Sequence, residues 1–249
     1  MKIYKTLALA GILAVAGSAN AEDYNRVAIS YDNTSYGYNK DYKLSYDDDE
    51  DPSFSTNGFG LNYIHGFGLS NSLPMFLEVG GNINFNFYSN TEEFKFMGET
   101  EKYKSQFQNI NLQVPVNFVW RFNVVDDLTI APYVGLNFKV HFTSKMRAYM
   151  DGEWDDKAEE DEAKQWMNLF SDDKDKGTGN KDLTWNRFQM GWHVGVTFQY
   201  SQWSLGVQYG TDFISAYRHT FKAADIDEDR DWTPAINTGN LKLSLGYTF

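Results

Sequence analysis

Few residues in this chain have the type and spacing to do chemistry. Glu78 and Arg121 both fall on the polar side of alternating segments, and a hairpin between those segments would set them near the same end of adjacent strands. They are expected to pair. In an open passage such a pair is a selectivity constriction; in a filled one it is a structural ion pair, and the second is expected for a small closed barrel. Lys139, His141 and His193 share the same side. They could line a pore or form a proton-linked gate, but are expected to be packed polar fillers. The 4 histidines show no His-x-His or His-x-x-x-His spacing, so no metal site is implied. With no Cys in the chain there is neither a disulfide nor a thiolate ligand, and no cofactor is implied. Asp47, Asp48, Asp49, Glu50 and Asp51 offer hard oxygens to a divalent cation. They lack the spaced ligands and central Gly of a calcium loop, so a solvated acidic loop is expected. His219 with Asp225 or Ser215 is the one grouping that resembles an acid–base–nucleophile set, and nothing in the spacing brings it together. The chain is therefore not expected to be an enzyme.

The elements that must position these groups show a period of two. Ile110, Leu112, Val114, Val116, Phe118, Trp120 and Phe122 alternate with Asn111, Gln113, Pro115, Asn117, Val119 and Arg121. The same pattern runs from Leu128 to Phe142 and from Phe188 to Tyr200. Shorter copies cover residues 77–87, 203–209, 241–249, 59–63 and 27–31. Period two puts one residue class on each strand face, and eight strands result.

The polar class decides which face is inside. A water-facing surface would be rich in Lys and Glu. Here the polar side is mostly Asn, Gln, Gly, Ser and Thr, with Arg26, Glu78, Arg121, Lys139, Arg187 and Lys242 as its charges. Small uncharged groups suit a narrow interior, and the large apolar class suits lipid. A closed ring also pairs every backbone group, as a bilayer demands. Connections alternate in length: 67–74, 123–127 and 201–202 are short, while 32–56, 89–105, 144–186 and 218–237 are long. Short turns at one end and long loops at the other are the habit of outer-membrane barrels. The long loops hold 28 of the 34 acidic residues.

Upstream, Lys2 and Lys5 precede an apolar run from Leu7 to Ala16 and the small-residue site Ala19-Asn20-Ala21. This is the pattern of a cleaved secretory leader, 1–21. The run is too short for a spanning helix, which needs about 20 residues. Residues 22–249 are then one barrel domain. The formal charge of −12 argues against any nucleic-acid partner.

Leu112-Gln113-Val114-Pro115-Val116-Asn117-Phe118 and Ala131-Pro132-Tyr133-Val134-Gly135 resemble the eight-stranded outer-membrane barrels of the Bacteroidetes porin-family or PorT-like type. Those are similar in architecture to OmpX and the OmpA membrane domain. The resemblance implies an all-β, up-and-down antiparallel transmembrane barrel in the outer membrane of a Gram-negative bacterium. It implies contact with lipid and lipopolysaccharide. The last strand resembles the signal read by the barrel-assembly machinery, with Tyr247 and Phe249 in its aromatic positions and Ser244 where Gly is usual. The expected function is a non-enzymatic surface protein whose acidic loops meet a ligand or divalent cation. A narrow porin-like channel and a lipid-modifying enzyme are the alternatives. Three local expectations remain. Pro115 and Pro132 lie inside strong strands and predict a bulge at each. Ala163, Trp166, Met167 and Phe170 share a helical face and predict a short helix capping the mouth. Tyr36, Tyr38, Tyr42, Tyr46 and Phe54 form an aromatic first loop that could bind a sugar.

Overall fold

The computed structural model describes residues 23–43, 53–70, 73–96, 99–125, 127–150, 157, 161–162, 164–222 and 231–249. Eight long strands dominate: β1 (Tyr24–Tyr38), β2 (Phe54–Gly68), β3 (Met75–Phe96), β4 (Glu99–Trp120), β5 (Leu128–Met150), β6 (Phe188–Tyr200), β7 (Trp203–Asp212) and β8 (Ala235–Thr248). Each pairs antiparallel with its sequence neighbour, and β8 returns to β1 from Thr248↔Arg26 to Ile236↔Tyr38. The ring is therefore closed. Asn25 and Phe249 exchange two backbone hydrogen bonds of 2.9 Å at the seam. The expected leader, 1–21, and the acidic run Asp47–Asp51 lie outside the described residues.

The alternation sorts as expected. Val27, Ile29, Tyr31, Phe59, Leu61, Leu205, Leu243 and Leu245 are exposed on the outer surface, while Ser30, Asp32, Asn82, Asn84, Asn111, Gln113, Asn240 and Lys242 are buried inside. An apolar outer face around a polar, closed ring makes this a transmembrane β-barrel. The short turns match too: Ser201 takes a φ of 53° in the two-residue turn between β6 and β7. No helix among the described residues is long and apolar enough to cross a membrane.

Three expectations are corrected. First, 89–105 is not a loop. β3 and β4 pair on to Phe96↔Glu99, and β4 pairs with β5 as far as Tyr103↔Met150. Each of these strands has 22 or 23 residues, about twice the 9–11 that cross a bilayer. Their ends form a three-stranded fin beyond the ring. Second, neither proline makes a bulge. Pro115↔Asn137 and Pro132↔Val196 sit in unbroken register. The other side of each proline faces a lapse in pairing. β3–β4 pairing skips Gly80 and Gly81, opposite Pro115 and Val114, and resumes without a shift. Pairing to β5 lapses between Val119↔Tyr133 and Phe122↔Ile130, which is where Pro132 stands. A missing N–H costs little where no ladder bond is made. The bulge of β4–β5 lies instead between Ile110 and Asn111.

Third, Trp166, Met167 and Phe170 are not helical. Met167–Asn168 is a short strand on β5, pairing Met167↔Met146 and Asn168↔Lys145. Among the described residues of that loop, 157 and 161–162 are helical, with a 3-10 turn at Lys181–Leu183. Ala163 lies outside the described residues.

Candidate functional site

The interior is built from side chains that cross one strand to reach the next. Glu78 on β3 is 1% exposed. It accepts from the Tyr24 hydroxyl at 2.6 Å, Arg26 Nη2 at 2.9 Å and Asn117 Nδ2 at 3.0 Å. Tyr24 and Arg26 lie on β1, so β2 intervenes. The β2 residue between Tyr24 and Glu78 is Gly66, which pairs with both. A Cβ there would stand 2.4 Å from the Tyr24 ring. Gly135 does the same on β5: it pairs with Asn117 and His193, and His193 Nε2 reaches Asn117 Oδ1 at 2.6 Å across it.

The expected Glu78–Arg121 pair is not the one that forms. Arg121 lies just beyond β4, with its backbone N–H on the Pro74 carbonyl. Its Nη2 donates to Gln199 Oε1 at 2.7 Å, and its guanidinium sits 4.2 Å from the centre of the Tyr24 ring. Register sets Arg26 against Glu78 first, and Arg121 becomes a lid over Tyr24 at the short-turn end.

Higher in the barrel, Lys242 on β8 donates to Gln113 Oε1 on β4 at 3.0 Å. Those strands face each other across the ring, so this bond spans the lumen. Lys242 also pairs with Asp32 at 3.4 Å. Lys139 pairs with Asp212 at 2.8 Å, and Thr238 donates to the same carboxylate. Nearer the loop end, His141 lies 2.8 Å from Asn109 and 2.6 Å from Gln189. Lys139, His141 and His193 are thus inside, as expected. Sequence reasoning missed Asp32, Asp212 and Tyr24. The alternation of β1 weakens after Tyr31, which puts Asp32 in a long loop by sequence, although the strand continues to Tyr38. Buried charges need partners. Two inward lysines and one inward carboxylate were signals that further carboxylates had to face them.

Little space remains. Among the described residues an interior cavity of about 40 Å³ is bordered by Arg26, Asn82, Gln113, Asn137 and Lys242 among others. That is room for about one to three waters.

The loop end is closed by an apolar plug. Tyr36, Phe107, Leu169, Ala216, Tyr217 and Ile236 are buried together, with Phe54, Tyr88 and Trp185 against them. Tyr36 stacks on Phe54 with ring centres 4.6 Å apart, and Trp185 lies 5.8 Å from both Tyr36 and Phe107. Backbone bonds hold the plug: Leu169 N–H to the Ser144 carbonyl at 2.9 Å, Trp185 to Leu169 at 2.8 Å, and Ala216 to Ile236 at 2.8 Å. The mouth is therefore capped, but by Leu169 and Trp185 rather than by a helix. Tyr36 and Phe54, which the sequence places in an aromatic first loop that could bind a sugar, belong to this plug. Burial, then the nearby Asp182 carboxylate, push the Tyr217 hydroxyl above its ordinary pKa.

His219 is not paired with Ser215, one of its expected partners. Its Nδ1 lies 3.6 Å from Asp182, while the Ser215 hydroxyl donates to Asn237 Oδ1 at 2.8 Å. Asp225 lies outside the described residues. At the other end Tyr247 faces outward, donating to Gln202 at 2.7 Å and packing edge-on to Trp203, with Phe249 next to it. Among the described residues no group of three or more His, Asp or Glu could hold a metal ion.

No protein-family model matches the chain, and no curated protein sequence matches it. Among solved structures it is similar to Ail, the attachment invasion locus protein of Yersinia pestis, at 13% identity and a TM-score of 0.39, over 92% of this chain and 100% of that one. It is similar to the outer membrane protein OprG from Pseudomonas aeruginosa at 9% identity and a TM-score of 0.40, over 94% and 98%. It is also similar to the outer membrane enzyme PagL at 11% identity and a TM-score of 0.35, over 88% and 98%. The barrel assignment itself rests on the ring closure and the apolar outer face.

Proposed function

We propose that this is an outer-membrane protein of a Gram-negative bacterium, exported with a cleaved leader, whose barrel is a membrane anchor and whose outer cap is the interacting part. The observation that carries this reading is the filled interior. Arg26–Glu78, Lys139–Asp212 and Lys242–Asp32 are paired inside it, and the Lys242–Gln113 bond crosses it. An anchor needs no passage, whereas a channel needs continuous water.

The protein is non-enzymatic in this reading, since His219 and Ser215 are engaged with different partners. The segments around Pro115 and Pro132 support a place beside the Bacteroidetes porin-family barrels. Lipid and lipopolysaccharide surround it, and Tyr247 and Phe249 present the last strand to the assembly machinery. The test is single-channel recording of refolded protein in a planar bilayer, with a heat-modifiable gel band confirming the folded barrel. Silence is expected. Discrete steps that change when Glu78 or Lys242 is neutralised would make it a channel.

A further inference from the structure

The cap carries a second feature, which shares Leu169, Trp185, Tyr217 and Ile236 with the plug. On its outward side is an open pocket of about 330 Å³, walled by Met146, Met167, Trp185, Tyr217, Phe221 and Trp232. Its floor, Leu169 and Ile236, is the top of the buried plug. The walls are preformed. Phe221 and Trp232 exchange two backbone bonds of 2.8 and 3.0 Å, and their rings stack 5.0 Å apart. Met167 is held to Met146 by strand pairing.

From these observations we infer that the pocket is a binding site for a flat aromatic molecule of about two fused rings. Size comes first: an apolar cavity of about 150 Å³ takes up benzene, and this one is roughly twice that. Polarity comes next. Besides the Tyr217 hydroxyl and the indole N–H groups of Trp185 and Trp232, Thr178 brings the one polar side chain of the lining, and its hydroxyl already faces the carbonyls of Ser171 and Asn180 at 3.0 and 2.7 Å. The Trp232 indole N–H is donated to the Asp41 carbonyl. A sugar would lose its hydrogen bonds to water here and gain few. The lining chemistry decides between aromatic and aliphatic. Four aromatic side chains offer offset or edge contacts, and two methionine sulfurs favour aromatic rings. The inference rests on the cap being the interacting part.

The test uses the full chain in lipid nanodiscs, with 13C-labelled methionine methyls and quinoline as probe. Met146 and Met167 should shift saturably, while Met75 and Met190 on the barrel wall report simple partition into lipid. Leu183→Glu, which puts a charge at the exposed rim of the pocket, should weaken binding at least about tenfold. 1-Hexanol, an aliphatic of comparable hydrophobicity, should bind more weakly than quinoline. Shifts that are linear and equal at all four methionines would overturn the site, and tighter binding of hexanol would overturn the aromatic assignment. Either failure leaves bilayer silence unaffected, so the anchor reading is judged separately.

Discussion

Tyr24 lies across Gly66, and only the absence of a side chain at Gly66 lets its hydroxyl reach Glu78 at 2.6 Å. The same arrangement recurs on the far side of the barrel. Tyr133 covers Gly195 on β6 and donates to Gln208 on β7 at 3.3 Å. Inward glycines on one strand thus set which groups on its two neighbours can meet.

Gly66→Ala should therefore destabilise the barrel by about 1–3 kcal/mol, the usual cost of overpacking. Because the harm is done through the Tyr24 ring, Tyr24→Ala in the same chain should remove most of the added penalty. Urea unfolding in detergent micelles, followed by tryptophan fluorescence, measures the cycle. Additive effects would show that Gly66 matters for another reason.

Arg26 and Arg121 make opposite predictions about Glu78. Arg26→Met strands a buried carboxylate and should cost about 3–5 kcal/mol. Arg121→Gln removes one hydrogen bond and a ring contact, and should cost about 1 kcal/mol. In double-mutant cycles with Glu78→Gln, the coupling should be clearly larger for Arg26. Equal couplings would restore the Glu78–Arg121 pairing that the sequence suggests.

Pro115 stands where the ladder to β3 lapses without a change of register. Pro115→Ala gives back an N–H that can bond, worth about 1 kcal/mol, and frees the unfolded chain by about 0.4–1 kcal/mol. The two nearly cancel. Stability should stay within about 1 kcal/mol of the parent. A larger loss would mean that the proline shapes the strand actively.

Leu169 is 2% exposed at the centre of the plug. Leu169→Ala should cost the cap about 2–5 kcal/mol while leaving the barrel wall intact. Limited proteolysis should then cut within 164–186, with the heat-modifiable gel shift preserved. Protection equal to the parent's would show that the plug is held by its backbone bonds alone.

The period-two pattern was enough to place eight strands, their lipid face, and Glu78, Lys139, His141 and His193 inside, but the strict alternation of short and long connections fails at β3–β4, where Phe96 pairs with Glu99. Alternation is a property of one strand by itself, so it can be read without knowing the neighbours. Which inward group meets which was decided by tertiary structure. Register and the positions of Gly66, Gly135 and Gly195 bring Tyr24 and Arg26 to Glu78, His193 to Asn117 and Tyr133 to Gln208, and no single strand carries that information. The lengths of β3 and β4 were also hidden, because Glu93, Lys95, Lys102 and Lys104 interrupt the apolar alternation where the fin leaves the ring. The plug was hidden for a third reason. Met167–Asn168 follows the free backbone of β5 rather than its own helical spacing, and Leu169 and Trp185 are buried only because two separate loops and residues of β1, β2, β3, β4 and β8 converge over one mouth.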